Sequence, residues 1–544
     1  MRSGVAIGLG VIGMAVLAGI GLLAVQQVTS TASPPTLDGL IASLPAGLTL
    51  SHGPAHFNLA AGTADLAHVA LSRGGKVVLS ADMLRLSGIQ GLGLTAAPRR
   101  IGHVSLINVG LGAPGRHVGR IEMTGLSAET LRQILSADAY PQGRAAWSDT
   151  RPVIDALEMF DLAGRADAPP GQTGKLRLTG TDFTVAHAIA TGITARQLQT
   201  PPSYSGFADP AAAADLALAV GEAASRAEKI QVNLHGVGTL TVASIANGAY
   251  AGGKLAAAEI TDTAFTPQSG AGGASLHQFS VTGVDCVRLL AEIPAAIAAQ
   301  QANLPPPNIS GLMRLTGMTV AGLNVDLPHG PKITMESLVS HVVKAGDAVE
   351  NSTTALRNLV VAFTGRDVAP ELTKQLDQFG MQDFAVDADA ASSTDLPAGR
   401  VAVTKDDVTV HGLGVLHLTF ALENYFPGTG TAEEIRNRVR QARLIHASLG
   451  WDDASLTGRL LKIEAARIGK PEKELRGNIA KVLVVLPRLI PRQPDAADQI
   501  TAFLDGQHSI SFTMEPSVPV SLGEIGGAPA TDKASMLGLR IAGN

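Results

Sequence analysis

Four stretches of this chain carry residue types that chemistry uses. His52 and His56 stand four residues apart, a spacing that suits two metal ligands on a helix. Gly8-Leu-Gly10-Val-Ile-Gly13 matches the dinucleotide fingerprint G-x-G-x-x-G. Gly273-Ala-Ser-Leu-His277 brings a serine close to a histidine, and Arg436, Arg438, Arg440 and Arg443 recur at short intervals.

The first three lack the partners their chemistry needs. Pro54 separates His52 from His56 and argues for loop or strand, no third ligand is indicated, and none of the 14 histidines falls in a pattern such as H-E-x-x-H. The fingerprint requires an acid about 20 positions onward to hold the ribose. Nothing charged occurs between Arg2 and Asp38, so the following helix would have no polar face. The serine of Gly273–His277 lacks the second glycine of a nucleophile elbow, and no phosphate-binding loop occurs. Asp406-Asp407 and Asp452-Asp453 are read as turn or cap residues, where Asp bonds locally. A two-carboxylate hydrolase instead needs its carboxyls about 5–10 Å apart across a cleft. The single cysteine, Cys286, makes no internal disulfide, and its neighbour Asp285 does not activate a thiolate. No catalytic residue, metal ligand or cofactor site is therefore assigned, and the chain is expected not to be an enzyme.

The arginine series has two readings. Glu433 and Glu434 open its helix and the cations follow, which fits the helix dipole on a solvated surface. The same helix also suits a foot on anionic lipid headgroups, with Arg436, Arg440 and Arg443 as the contacts.

Composition narrows the class. The 544 residues carry a net charge of −5, with no basic stripe and interleaved aromatics, so a nucleic-acid partner is not expected. Aromatics are 3% and charged residues 16%, which makes the interior aliphatic. Gly4 to Val25 is a run without a charge, long enough to cross a bilayer as a helix. Its length favours a retained anchor over a cleaved signal, although a small-residue site follows at Ala32. Arg2 keeps the N-terminus in the cytoplasm and sends the remainder outward.

The exported part repeats one phrase. Arg-Leu-Thr-Gly occurs at Arg177–Gly180 and Arg314–Gly317, Arg-Leu-Ser-Gly at Arg85–Gly88, and looser copies end in Gly125 and Gly283. Each copy alternates polar and apolar residues, as a half-buried strand does, and its glycine predicts a tight turn or a bulge. The clearest alternation is Leu416–Glu423: Leu416, Leu418, Phe420 and Leu422 share one face, with His417, Thr419 and Glu423 on the other. His417 and His411 are placed on the solvent face. Helices are expected over Ala128–Leu135 behind the cap Ser127, Ala211–Lys229 behind Asp209-Pro210, and Cys286–Asn303 kinked or ended at Pro294. Others are expected over Glu433–Leu444, Ser455–Ile468, Pro471–Leu486 and Asp495–Leu504, with closing strands Ser509–Met514 and Leu537–Ile541.

The expected fold is α+β and predominantly antiparallel β: repeated strand-turn units forming elongated or curled sheets with a few flanking helices, preceded by one transmembrane helix. The expected organisation is an anchor over 1–28, a tether over 29–37, a first β-rich unit over 38–303, a second over 309–425 and a mixed C-terminal part over 426–544, with the Pro-rich stretch 304–308 as the boundary.

Through its N-terminal span and the runs GKLRLTGTDF, GLMRLTGMTV and Arg400–Tyr425, the chain resembles the AsmA-like and YdgA-like envelope proteins of Gram-negative bacteria. That resemblance implies a single-pass inner-membrane protein with a periplasmic β-rich body, recognised by architecture and not by a catalytic site. It also implies envelope maintenance, or binding and transfer of a phospholipid or other envelope lipid along an apolar sheet face. Leu416, Leu418, Phe420 and Leu422 are the candidate lipid-facing residues. The alternative is an anchored scaffold or adaptor that binds other envelope proteins.

Overall fold

A computed structural model describes residues 48–543, apart from 91–98, 136–148, 168–179, 199–209, 302–312, 364–375, 427–431, 484–492 and the short gaps at 59, 74, 113–114, 327, 329, 346–348 and 378. The expected membrane span, the tether, the Pro-rich boundary and most of the Arg177–Gly180 phrase lie outside the described residues. Among the described residues no helix is long and apolar enough to cross a membrane.

The chain forms two compact units. The first takes in the described residues up to Gly270 with Gln278–Leu315, and the second Ala271–His277 with Thr316 onward. In order, the strands of the N-terminal half are β1 Leu48–Ser51, β2 Ala55–Asn58, β3 Thr63–Arg73, β4 Lys76–Gln90, β5 Arg100–Gly110, β6 His117–Ser127, β7 Arg151–Asp167 and β8 Gly180–Ala195. They continue as β9 Val220–Glu222, β10 Ala224–Leu234, β11 Gly238–Asn247, β12 Tyr250–Ala251, β13 Lys254–Pro267 and β14 Gly273–Asp285. Helices α1 Ala128–Leu135, α2 Pro210–Ala219 and α3 Val287–Gln301 accompany them. The remaining strands are β15 Gly317–Asp326, β16 Lys332–Ala345, β17 Val349–Ala362, β18 Asp383–Asp395, β19 Arg400–Val410, β20 Gly414–Glu423, β21 Arg443–Asp453, β22 Ser509–Met514, β23 Val520–Ser521 and β24 Leu539–Gly543. Their helices are α4 Ala432–Gln441, α5 Leu456–Ile468, α6 Glu472–Leu483, α7 Ala496–Leu504, α8 Leu522–Gly527 and α9 Ala530–Leu537.

The expected antiparallel β architecture is what the chain forms. In the first unit β3 through β8 pair with their sequence neighbours, and β8, β10, β11 and β13 continue the meander; β1 and β2 both pair with β3. One face is a packed aliphatic core in which Val104, Leu106, Val109, Val118, Ile121 and Met123 have no exposed surface. Each such side chain contributes roughly 1.5–3 kcal/mol on burial.

The spacing along these strands is not uniformly two. Buried residues fall three apart at Leu66/Val69, Leu106/Val109, Val118/Ile121, Met159/Leu162 and Ala227/Ile230. At each slip the cross-strand register jumps over one residue on both partners, or over two where β4 meets β5. The skipped positions line up as one row: His68, Asp82, Asn108, Gly119, Asp161, Ala186, Lys229, Ala243 and Asp262. Alternate members are left-handed, with φ of 49° at His68, 54° at Asn108 and Asp161, 52° at Lys229 and 48° at Asp262. The Asn108 amide donates to Asp82 across the row at 2.8 Å. A second row runs through Gly88, Gly102, Gly125, Asp155 and Gly192, of which Gly88, Gly125 and Gly192 are left-handed.

The repeated phrase thereby acquires a different meaning from a strand closed by a turn. Gly88, Gly125 and Gly283 are left-handed kinks inside β4, β6 and β14, which run on past them, while Gly180 and Gly317 open β8 and β15. A left-handed residue is admitted by the same missing Cβ in a turn and in a kink, and a kink bends the strand and sharpens its twist.

Helix expectations met mixed outcomes. α1 is as expected, with the Thr130 N–H donating to Ser127 Oγ at 3.3 Å. The Ala-rich helix from 211 stops at Ala219, because Ser225 to Val232 alternates and enters the sheet as β10 between β8 and β11. Position 294 does not end α3, which runs to Gln301. α5, α6 and α7 fall within a few residues of expectation, β22 agrees, and the closing strand starts at Leu539 after the unforeseen helix α9.

In the second unit β15 through β22 form one antiparallel meander, and β24 pairs with β22. C-terminal residues join the same sheet, since β21 pairs with β20. A small core of Ala496, Ile510, Ala534 and Ile541 places α7 over β22 and β24, with Trp451 and Phe512 packed against it. The outer main chain of β24 is met by side chains. Gln493 accepts from the Ile541 N–H at 2.6 Å and donates to the Ile541 carbonyl, and Gln499 accepts from the Gly543 N–H at 2.9 Å.

Candidate functional site

The second unit carries the feature most unlike an ordinary core. Following direct cross-strand partners from β15 to β22 gives a single apolar row: Val320, Leu338, Leu356, Ala388, Val408, Leu416, Trp451 and Ile510. Direct partners project from the same face, and neighbouring strands lie about 4.8 Å apart, so the row extends on the order of 30 Å. Ile510 is buried under α7. From Val320 to Val408 every member is half-buried, Leu416 is 37% exposed, and Leu449, one rung along on β21, is 41% exposed. Such partial exposure contrasts with the closed face of the first unit.

The four residues singled out on β20 lie in this band. Leu416 sits between Val408 and Trp451, Leu418 opposite Leu449, Phe420 between Val403 and Ala447, and Leu422 between Val401 and Leu444. Leu418, Phe420 and Leu422 are half-buried.

On five of these strands the apolar residue has a charged or titratable chain neighbour, which alternation sends to the opposite face: Leu356 with Arg357, Ala388 with Asp389, Val408 with Asp407, Leu416 with His417 and Trp451 with Asp452. These neighbours form a ladder. Arg357 reaches Asp389 at 2.5 Å; Lys405 lies 3.6 Å from Asp389 and 3.4 Å from Asp407; His417 Nδ1 is 2.6 Å from Asp407, and its Nε2 is 3.0 Å from Asp452. The Arg357 guanidinium holds the Asp389 carboxyl below the usual range. The Asn358 N–H, then His411, do the same for Asp387. Asp407 first, and Asp452 after it, raise the His417 imidazole.

His417 is therefore more than a solvated strand residue, and Asp406-Asp407 is a stretch of β19 and not a turn, because the sheet continues through it. Asp453 does act as a cap, accepting from the Thr457 N–H at 2.9 Å, whereas Asp452 turns to His417. Sequence reading missed the ladder. Its one local signal is the apolar-charged couplet repeated on successive strands.

The arginine series divides. Arg436, Arg438 and Arg440 lie on α4, where Arg436 and Arg440 are exposed beside Ile435 and Val439, 42% and 40% exposed. Arg443 is not on that helix, which stops at Gln441. It begins β21, lies 3.6 Å from Glu423 and donates to the Pro519 carbonyl at 3.1 Å. The helix ends early because Arg443 and Leu444 pair with β23 and β20.

The other sequence candidates are not drawn together. His52 Nδ1 lies 2.6 Å from the Gly53 carbonyl oxygen, and His56 is exposed on β2. Among the described residues no group of three His, Cys, Asp or Glu side chains is placed to hold a metal ion. Burial, then the charge of Asp285, pushes the Cys286 thiol up. A cleft of about 570 Å³ is lined by Asp377, Asp383, His411 and Arg459, but Arg459 is engaged with the Phe379 and Gly380 carbonyls and with Ser455.

A family model described as an uncharacterized protein matches residues 407–544, which covers β20 to β24 and all of α4 to α9. No curated protein matches the chain.

Proposed function

We propose that this protein is an anchored envelope protein without enzymatic activity, and that its second unit holds the acyl part of a lipid against the apolar row. The observation that carries this reading is the half-exposed band from Val320 to Leu416 and Leu449, an aliphatic surface that, among the described residues, lies open where Ile510 is buried under α7. An acyl chain laid there recovers about 0.8 kcal/mol per buried methylene, on the order of 12 kcal/mol for 16 carbons before losses. Arg436 and Arg440 are the proposed headgroup contacts, each contributing about 1 kcal/mol near an anionic surface. Arg443, engaged with Glu423, serves the fold. Residues 4–25 are the proposed inner-membrane anchor, with the body in the periplasm. This is also the arrangement implied by the resemblance to AsmA-like and YdgA-like proteins.

Native mass spectrometry of the full chain in detergent micelles tests the reading. The expected result is a co-purified lipid that is lost in Leu416→Glu and Leu449→Glu while the fold is kept. Protein free of lipid, or lipid retained equally in both variants, overturns it.

A further inference from the structure

We propose that His417 is a protonation-dependent clasp that ties β19, β20 and β21 of the second unit together behind the apolar row. The geometry carries this independently of any lipid. Both ring nitrogens face carboxylates, Nδ1 at 2.6 Å from Asp407 and Nε2 at 3.0 Å from Asp452, on the strands to either side. A neutral imidazole has one N–H and serves one of these contacts; the imidazolium donates to both. Gly450 lies opposite His417 in the register, and the absence of a side chain there leaves room for the ring.

The groups facing His417 make the effect directional. From β19 come Asp407 and Lys405, from β18 Asp389, from β17 Arg357, and from β21 Asp452. His446, 3.3 Å from Thr419, and the His411–Asp387 pair flank them on the same face. Charges alternate along the whole ladder only when His417 is protonated. On losing its proton the ring keeps its N–H on the shorter contact, and Asp407 also retains Lys405. Asp452 has no other ion pair among the described residues, so a lone pair then faces its carboxylate. The seam that loosens is β20–β21, where Leu416 and Leu449 are exposed.

Hydrogen exchange on the full chain in detergent micelles, comparing variants at one pH so that intrinsic rates cancel, decides the matter. At pH 6 the β20 and β21 amides of wild type are expected to exchange about three- to tenfold more slowly than those of His417→Gln, a range set by a partly screened pair. At pH 9 the two exchange alike. His417→Arg, charged throughout, keeps its protection at both values, and Asp452→Asn abolishes the pH dependence. Should His417→Gln fail to fold, nuclear magnetic resonance of the wild-type ring replaces it: titration above the ordinary histidine value supports the clasp, and titration at or below it overturns the clasp. A wild-type to His417→Gln ratio that is the same at pH 6 and pH 9 overturns it as well.

Discussion

Gly88 and Gly102 face each other across β4 and β5 with no side chain on either, and a Cβ placed on Gly88 would lie 3.2 Å from the Gly102 Cα. Gly88 is also left-handed, with φ of 63°. Gly88→Ala therefore meets both a backbone penalty and a crowded neighbour, and is expected to destabilise the first unit by about 1–3 kcal/mol in a denaturant titration. Asn108→Gly and Asn108→Val both remove the bond to Asp82, but glycine suits the left-handed backbone there and valine strains it, so Asn108→Gly should cost less.

Two leucines separate a core from an open face. Leu106 is wholly buried, and Leu106→Ala should cost about 2–5 kcal/mol. Leu416→Ala, at a site 37% exposed, should cost less than about 1 kcal/mol. Equal losses in matched unfolding curves would mean that the second face is closed like the first.

Acid should weaken the ladder on the carboxylate side. Asp389 and Asp387 titrate below their ordinary value in the folded protein, so their contribution is fully present above about pH 4, the unfolded value, and is lost as pH falls through the folded one. Asp389→Asn should lower the melting temperature at pH 7 and flatten its fall below pH 4. A variant curve parallel to wild type throughout would contradict this.

On α4, Arg436→Ala and Arg440→Ala together should reduce flotation with phosphatidylglycerol vesicles while leaving the melting temperature within error, because both side chains are exposed. Arg443→Ala should do the reverse: lower stability through loss of the contacts to Glu423 and the Pro519 carbonyl, with flotation unchanged.

Much of the architecture was legible because antiparallel strands advertise themselves locally. Leu416 to Leu422 alternates and does form β20, and Ser509–Met514 is a strand as read. What failed was local ambiguity. A glycine after Arg-Leu-Ser serves a turn and a kink equally, and only the three-residue step from Leu86 to Ile89 betrays the kink. Alanine run-on hid the end of α2 at Ala219, where pairing with neighbouring strands overrides helix propensity. The clasp was beyond sequence reading for a different reason. Asp407, His417 and Asp452 meet through the register of three strands, which no spacing along the chain encodes.

The glutamines along β24 have a consequence for how copies of this protein meet. Gln493 occupies the donor and acceptor positions that an incoming strand would use on Ile541, and Gln499 the acceptor position facing the Gly543 N–H, so this part of the rim of the second unit is already answered from within its own chain. A strand arriving at that border would first have to displace two side-chain amides, from both main-chain groups of Ile541 and from the Gly543 N–H, before it could zip on as the first rung of a fibre.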